Sequence, residues 1–390
     1  MTDAPVNVRA FGAKGDGVAD DTAAIQAAIN ANGSVYLPAG NYRITAPLYL
    51  TGTEGGVAGR LVGAGSWATK ITKTTTTAGT GSNLMRSGAT TDSYAVDAAV
   101  IVTHPDNVFA YHVELRGIAL VSGSANNLHA IYAPRLSGAV FEDVVTYQFQ
   151  RGYTTHDTWL SQFRKVIHNG TGRTTWRGFN WEIDGTGGGT GTSCAFIDCW
   201  ARDGSGQGWW LKGLSYSTLI NCAADNITGV AYVIESSQIT MVGCGMENID
   251  LTASGYAVGW FNSRGAMIGC RSFDVVGASS AAFAYLDASR VTLENCQFEN
   301  FTTVNSALNI IVQNGAHLVD INTQLPTNGN TFVSYSTSSS RVRLADGVVQ
   351  TLIGGAAAFA NYADDTAAAA GGVAIGQMYR TASAVKIRVA

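Results

Sequence analysis

Five octapeptides in the second half of the chain share one arrangement of apolar and polar positions: FIDCWARD, LINCAADN, MVGCGMEN, MIGCRSFD and LENCQFEN. Each reads apolar, variable, small or polar, cysteine, two further residues, then a polar pair closing on Asn or Asp. Their cysteines, Cys199, Cys222, Cys244, Cys270 and Cys296, lie 23, 22, 26 and 26 residues apart. Small apolar residues continue the slot, with Ile118, Val144 and Val166 upstream and Ile321 and Leu344 downstream. The nine intervals then run 26, 22, 33, 23, 22, 26, 26, 25 and 23. A period in the twenties, holding two or three short strands, predicts a solenoid. We therefore expect an all-β chain folded as a right-handed parallel β-helix, its coils stacked about 4.8 Å apart through parallel ladders. Equivalent residues would superpose, so the cysteines would form a ladder of small, buried, free thiols. The polar position four residues after each, Asp203, Asn226, Asn248, Asp274 and Asn300, predicts a side-chain ladder at a bend.

A different period appears near the start, where Ala24, Ile25, Ala28 and Ile29 form an apolar stripe at helical spacing. The preceding loop, FGAKGDGVADD, has neither the alternating oxygen ligands and twelfth-position Glu of an EF-hand nor the Gly-Lys-Ser/Thr of a phosphate loop. Asp20 or Asp21 reads as an N-cap. The helix reads as a lid on the apolar end of the solenoid. At the other end, Val385, Ile387 and Val389 alternate with Lys386 and Arg388, as a last strand does. The expected organisation is a cap over residues 1–45, a β-helix over 46–345 and a β-rich tail over 346–390.

Composition narrows the function classes. Charged residues make up only 13% of the 390, which suits a Thr/Ser/Asn-clad β surface better than a helical bundle. Net charge is −4 and no basic run occurs, so nucleic acid is not an expected partner. No apolar run approaches a membrane span, and no secretion signal is expected at the N-terminus.

The run VNVRAFGAKGDGVADDTAAIQAAI, followed by GSVYLPAGNYRI, resembles the N-terminal signature of the pectate-lyase-like β-helix superfamily. That signature is common in bacteriophage tailspikes and polysaccharide depolymerases. The last residues, AAAAGGVAIGQMYRTASAVKIRVA, are similar to C-terminal segments of phage tail proteins. The resemblance implies a homotrimer on a virion, beside other tail proteins, acting on a bacterial surface polysaccharide. Its members include hydrolases, lyases, epimerases and inactive adhesins, so it assigns no chemistry to particular residues.

Candidate chemistry comes from the repeats. The interval of 33 between Val166 and Cys199 leaves about ten residues for a protruding loop, and six of eight tryptophans fall between Trp159 and Trp210. Trp176, Trp181, Trp200, Trp209 and Trp210 are the candidate sugar-binding residues, offering flat apolar faces to pyranose rings. Three residues after cysteine, on the outward side, Asp225 and Glu247 fall on adjacent coils. Glycoside hydrolysis needs two carboxyl groups roughly 5–9.5 Å apart, one with a raised pKa. With Asp203 at the neighbouring bend, these are the expected catalytic residues; Glu182 and Asp184 on the inserted loop are fallbacks. A lyase would instead use a base and a cation, for which Arg202, His168, Lys212 and Arg271 are available. The six histidines have no ligand spacing and no nucleophile elbow is present, so neither a metal nor a cofactor is expected. A non-enzymatic receptor-binding protein on the same scaffold, and a pectinase, remain alternatives.

Overall fold

The computed structural model describes residues 4–387 apart from 53–58, 83–92, 104–108, 124–127, 174–175, 182–190, 252–254, 278–281, 300, 304–307, 324–332, 336–339, 344–348, 351–362, 372–377 and 382–383. Parallel ladders join coil to coil from Val6–Asn7 to Arg341–Arg343, wrapping a parallel β-helix with three faces. On the first face the inward rungs are Val35, Leu61, Leu115, Phe141, Phe163, Phe196, Leu219, Met241, Met267 and Leu293, all buried. Phe141, Phe163 and Phe196 stack with centroids 5.1 and 4.7 Å apart. On the third face Phe179, Trp209 and Tyr232 stack likewise, at 3.8 and 5.9 Å. The strand spacing matches the thickness of stacked rings, and each pair adds about 0.5–1.5 kcal/mol beyond its burial.

The corner between the first and second faces carries the cysteine slot. Ile118, Val144, Val166, Cys199, Cys222, Cys244, Cys270 and Cys296 superpose, as the strand registers on either side require. The residue before each turns the chain in the left-handed region: Gly117, Asp143, Lys165, Asp198, Asn221, Gly243, Gly269 and Asn295, with φ between 50° and 62°. Asn, Asp and Gly dominate because they tolerate that conformation. All six cysteines are free and buried. Each thiol of the ladder also reaches a carbonyl of the preceding coil, Cys199 to Phe163 O (3.3 Å) and Cys296 to Met267 O (3.1 Å) marking the two ends. Cys194 sits at another corner, where burial pushes its thiol up to about 12.

Ile321 does not continue the slot. It pairs with Glu294 and is 43% exposed, while the next left-handed residue is Asn322. Thr323 therefore fills the slot and accepts the Cys296 N–H at 3.4 Å; a hydroxyl-bearing residue hides from a search for small apolar ones. Leu344 lies outside the described residues. The second expected ladder is present: Asp203, Asn226, Asn248 and Asp274 all have φ of 53–56°, and Asn300 lies outside the described residues.

Strands before residue 45 already belong to the ladders, so the helix Thr22–Asn32 is inserted into the first coils. It buries Ile25, Ala28 and Ile29. The loop aspartates serve the backbone: Asp21 accepts the N–H of Lys14 (2.7 Å) and Gly15 (3.0 Å), and Asp16 those of Val18 and Ala19, both at 2.8 Å. The Ala19 and Val18 N–H groups hold the Asp16 carboxyl below its ordinary range. After the last parallel rung, Val349–Gln350 pairs antiparallel with Arg341–Arg343, and Met378–Thr381 forms a hairpin with Ala384–Ile387.

Because every thiol is buried away from solvent, the folded protein is expected to be inert to a thiol reagent. Titration with an aromatic disulfide should find no reactive group in the native state and all six after unfolding in guanidinium. One fast-reacting thiol per native chain would contradict the ladder.

Candidate active site

The outward side of the second face brings the candidate acids together. Successive coils superpose Trp200, Ala223, Gly245, Arg271 and Gln297 in one column, and Arg202, Asp225, Glu247 and Phe273 in the next. A cleft of about 420 Å³ opens there, lined by Ala223, Asp225, Gly245, Glu247, Arg271 and Phe273 among others. Its floor is low because Ala223 and Gly245 sit between Trp200 above and Arg271 below. A Cβ added to Gly245 would meet nothing within 4 Å, and its φ does not demand glycine. The bare α-carbon is open space within the cleft.

Asp225 and Glu247 are directly paired rungs. Burial, then the charge of Glu247, raises the Asp225 carboxyl to about 6, against an opposing hydrogen-bond contribution from the Trp200 indole and attraction from Arg202. The Trp200 Nε1 atom is buried without a hydrogen-bond partner, which leaves the indole only a weak hold on Asp225. Arg202 lies over the Trp200 ring, its Cζ 4.3 Å from the centroid. Its Nε also donates to Asp203 Oδ2 at 2.6 Å. The pair of acids thus has one member poised to carry a proton near neutrality and a second beside it.

Asp203 has a different place. At its left-handed bend it accepts Asn169 Nδ2 (2.8 Å) as well as Arg202 Nε on one oxygen, and Asn226 Nδ2 (2.7 Å) on the other. Both oxygens are engaged in holding adjacent coils and Arg202. It borders a separate cleft of about 620 Å³ with Arg173, Asn226 and Thr228.

The tryptophans divide. Trp200 is half-buried beside the acids. Trp176 and Trp209 are wholly buried, which corrects the expectation that they grip sugar. Room for Trp176 comes from glycine: a Cβ on Gly170 or Gly204 would approach its ring within 2.3–2.4 Å. Large rings do fit this interior where glycine makes space. Trp210 faces outward on the third face, covered by Arg177 with Cζ 3.4 Å from the ring centroid. Trp181 ends the strand Trp176–Trp181, but its side chain lies outside the described residues, as do Glu182 and Asp184. Among the described side chains, Trp200 stands beside the acids, and Trp176, Trp209 and Trp210 do not.

Two other constellations bear on chemistry. His168, offered as a base, is buried and stacked on Trp176, and burial depresses it to about 3. Unforeseen from sequence is a cluster near the corner after Arg151–Thr155. Tyr132 Oη lies 3.4 Å from His156 Nε2, Trp159 Nε1 donates to Asp157 at 2.8 Å, and Arg135 approaches Asp157 at 4.0 Å. Burial raises the Asp157 carboxyl. The adjacent His156-Asp157 pair was the visible signal; Tyr132 arrives only through coil stacking. Among the described residues no group of three or more His, Cys, Asp or Glu could hold a metal ion.

The family model described as rhamnogalacturonase A/epimerase, pectate lyase-like, matches residues 5–257. Mannuronan C5-epimerase AlgE5 of Azotobacter vinelandii is 66% identical over 44 residues, 10% of this chain and 4% of that protein. The gp42 tailspike of Acinetobacter phage vb_AbaP_AS12 shares the fold at TM-score 0.75 and 20% identity, over 90% of this chain and 64% of the tailspike. The family 28 exopolygalacturonase of Yersinia enterocolitica does so at TM-score 0.54 and 12% identity, over 87% and 78%. This chain thus spans less than two thirds of the tailspike and a small part of the epimerase.

The raised Asp225 carboxyl has a stability consequence. Its folded pKa of about 6 exceeds the ordinary 3.8, so folding favours the protonated form and that stabilisation is lost as pH rises between the two values. Asp225→Asn should therefore melt higher than the parent at pH 8 and at the same temperature below pH 3.8. Equal melting temperatures at both pH values would remove the electrostatic basis of the pair.

Proposed function

Because the chain belongs to the rhamnogalacturonase A/epimerase, pectate lyase-like family, we propose that it is a tailspike-type protein that binds and hydrolyses a bacterial surface polysaccharide. The observation that carries this reading is the Asp225–Glu247 pair at the low floor of an open cleft, with Asp225 raised to about 6. Asp225 acts as general acid, protonating the glycosidic oxygen of the leaving sugar. Glu247 attacks the anomeric carbon on the opposite side, and water later releases the glycosyl ester with Asp225 as base. Rungs of a parallel ladder are about 4.8 Å apart, which favours the roughly 5–5.5 Å carboxyl separation of retaining enzymes over the wider inverting gap. Ala223 and Gly245 leave height for a sugar ring, Arg271 and Phe273 line the cleft beyond them, and it continues to Gln297 and Glu299 on the next coil. Asp203 positions Arg202 and takes no part in bond cleavage. The likeness to a phage tailspike supports the setting: a homotrimer on the virion, beside other tail proteins, meeting glycan outside the host cell.

Elimination is the second reading, favoured by the Tyr132–His156 contact with Arg135 and Asp157 close by. A hydroxyl, an imidazole and a guanidinium are the groups that removal of a proton beside a uronate carboxylate requires.

Incubation of the purified protein with capsular polysaccharides and O-antigens, followed by chromatography of released oligosaccharides, tests the proposal. Asp225→Asn and Glu247→Gln should each lower product formation by at least about 10³-fold. Product from the parent should keep the anomeric configuration by NMR, and its rate should fall as pH rises through about 6. Gly245→Leu should block cleavage while leaving the melting temperature unchanged, since the side chain fills the cleft alone. Ultraviolet absorbance from an unsaturated uronate would favour elimination, and binding of glycan without any product would favour a receptor-binding protein.

A further inference from the structure

The linear sequence has no basic run, yet the stacking of coils assembles a basic column. At the start of the first face, Gln238, Arg264, Arg290, His317 and Arg341 are successive paired rungs. Tyr216, one residue before the paired Ser217 and Ile239, heads the column and is 75% exposed. The side chains of Arg264 and Arg290 are exposed, and neither forms an ion pair among the described residues. The nearest acid across the corner, Asp287, is occupied by Gln313 Nε2 (3.0 Å) and Asn314 Nδ2 (2.8 Å). Glu294 stands at the opposite end of the Arg290 strand, and Asp320 lies three positions along the next strand from His317. Like charges on directly paired rungs repel, so the column costs stability unless something offsets it. At its upper end a cleft of about 420 Å³ is lined by Tyr216, Thr218, Gln238, Thr240 and Arg264.

We propose that this column is a second glycan-binding surface, separate from the acid cleft, that holds a carboxylated polysaccharide along the β-helix axis. Six rungs from Tyr216 to Arg341 span roughly 24 Å at the spacing of parallel strands. The spacing of one rung, about 4.8 Å, is close to the length of one pyranose unit, so a linear uronate chain laid along the column brings carboxylates within reach of Arg264 and Arg290. Guanidinium groups bind carboxylates through paired charge-assisted hydrogen bonds. The exposed Tyr216 ring gives a pyranose face an apolar contact, and Gln238, Thr218 and Thr240 supply hydroxyl partners. The strip is one charge wide on a chain of net charge −4, a poor field for a duplex nucleic acid but sufficient for a single glycan chain.

Biolayer interferometry of the full chain against polygalacturonate, with dextran and double-stranded DNA as comparators, tests this. Polygalacturonate should bind, with affinity falling as salt rises, and dextran should not. Arg264→Ser with Arg290→Ser should weaken polygalacturonate at least about tenfold, while Arg264→Lys with Arg290→Lys keeps most of the binding. Lys70→Ser, at an exposed basic residue outside the column, should bind as the parent does, which ties the binding to this surface. The proposal is overturned if the serine pair binds unchanged, if dextran or DNA binds as tightly as polygalacturonate, or if the serine pair alters the oligomeric state by sedimentation.

Discussion

The structure depends on coil-over-coil registration through parallel backbone ladders. Registration is kept at the corners, where a left-handed residue turns the chain and the next side chain points inward. Asn, Asp or Gly takes the first place in every corner of the ladder but that of Lys165 and, over five consecutive coils, cysteine takes the second. With that angle repeated, Phe stacks on Phe and Trp on Tyr at the spacing the ladders impose. Length variation is absorbed elsewhere: the coil ending at Cys199 carries ten more residues than the next without shifting any rung.

The repeat was legible because its marker is short, polar-flanked and recurs once per coil. The parallel fold, the thiol ladder and the pairing of Asp225 with Glu247 follow from counting in that register. Counting failed where the marker changed chemistry, at Thr323, and Ile321 consequently seemed to hold a slot two residues away. Burial of Trp176 and Trp209 was not legible, because it depends on Gly170 and Gly204 of different coils leaving space for one ring and on Phe179 stacking on the other. Nor could the sequence reveal that Asp203 spends both oxygens on neighbours, since Asn169 lies 34 residues away. Tyr132 beside His156 and Arg264 beside Arg290 are of the same kind, contacts made by superposition of residues 24 and 26 positions apart.

Division of labour between the sides of each strand follows. Inward positions are constrained by ring stacking and by a packing density that leaves little freedom. Outward positions answer only to solvent and to the coil above and below. Chemistry can therefore be assembled from two or three outward residues on neighbouring coils at small cost to the core. The low floor at Ala223 and Gly245, flanked along the same column by the larger Trp200 and Arg271, shows how the depth of a surface cleft is set by side-chain size.

The buried, unbridged thiols carry one more consequence. No covalent cross-link contributes to the fold, so its integrity is the same in the presence of glutathione as in air. A chain built this way can mature in a reducing cytosol and persist in an oxidising medium without any change of bonding.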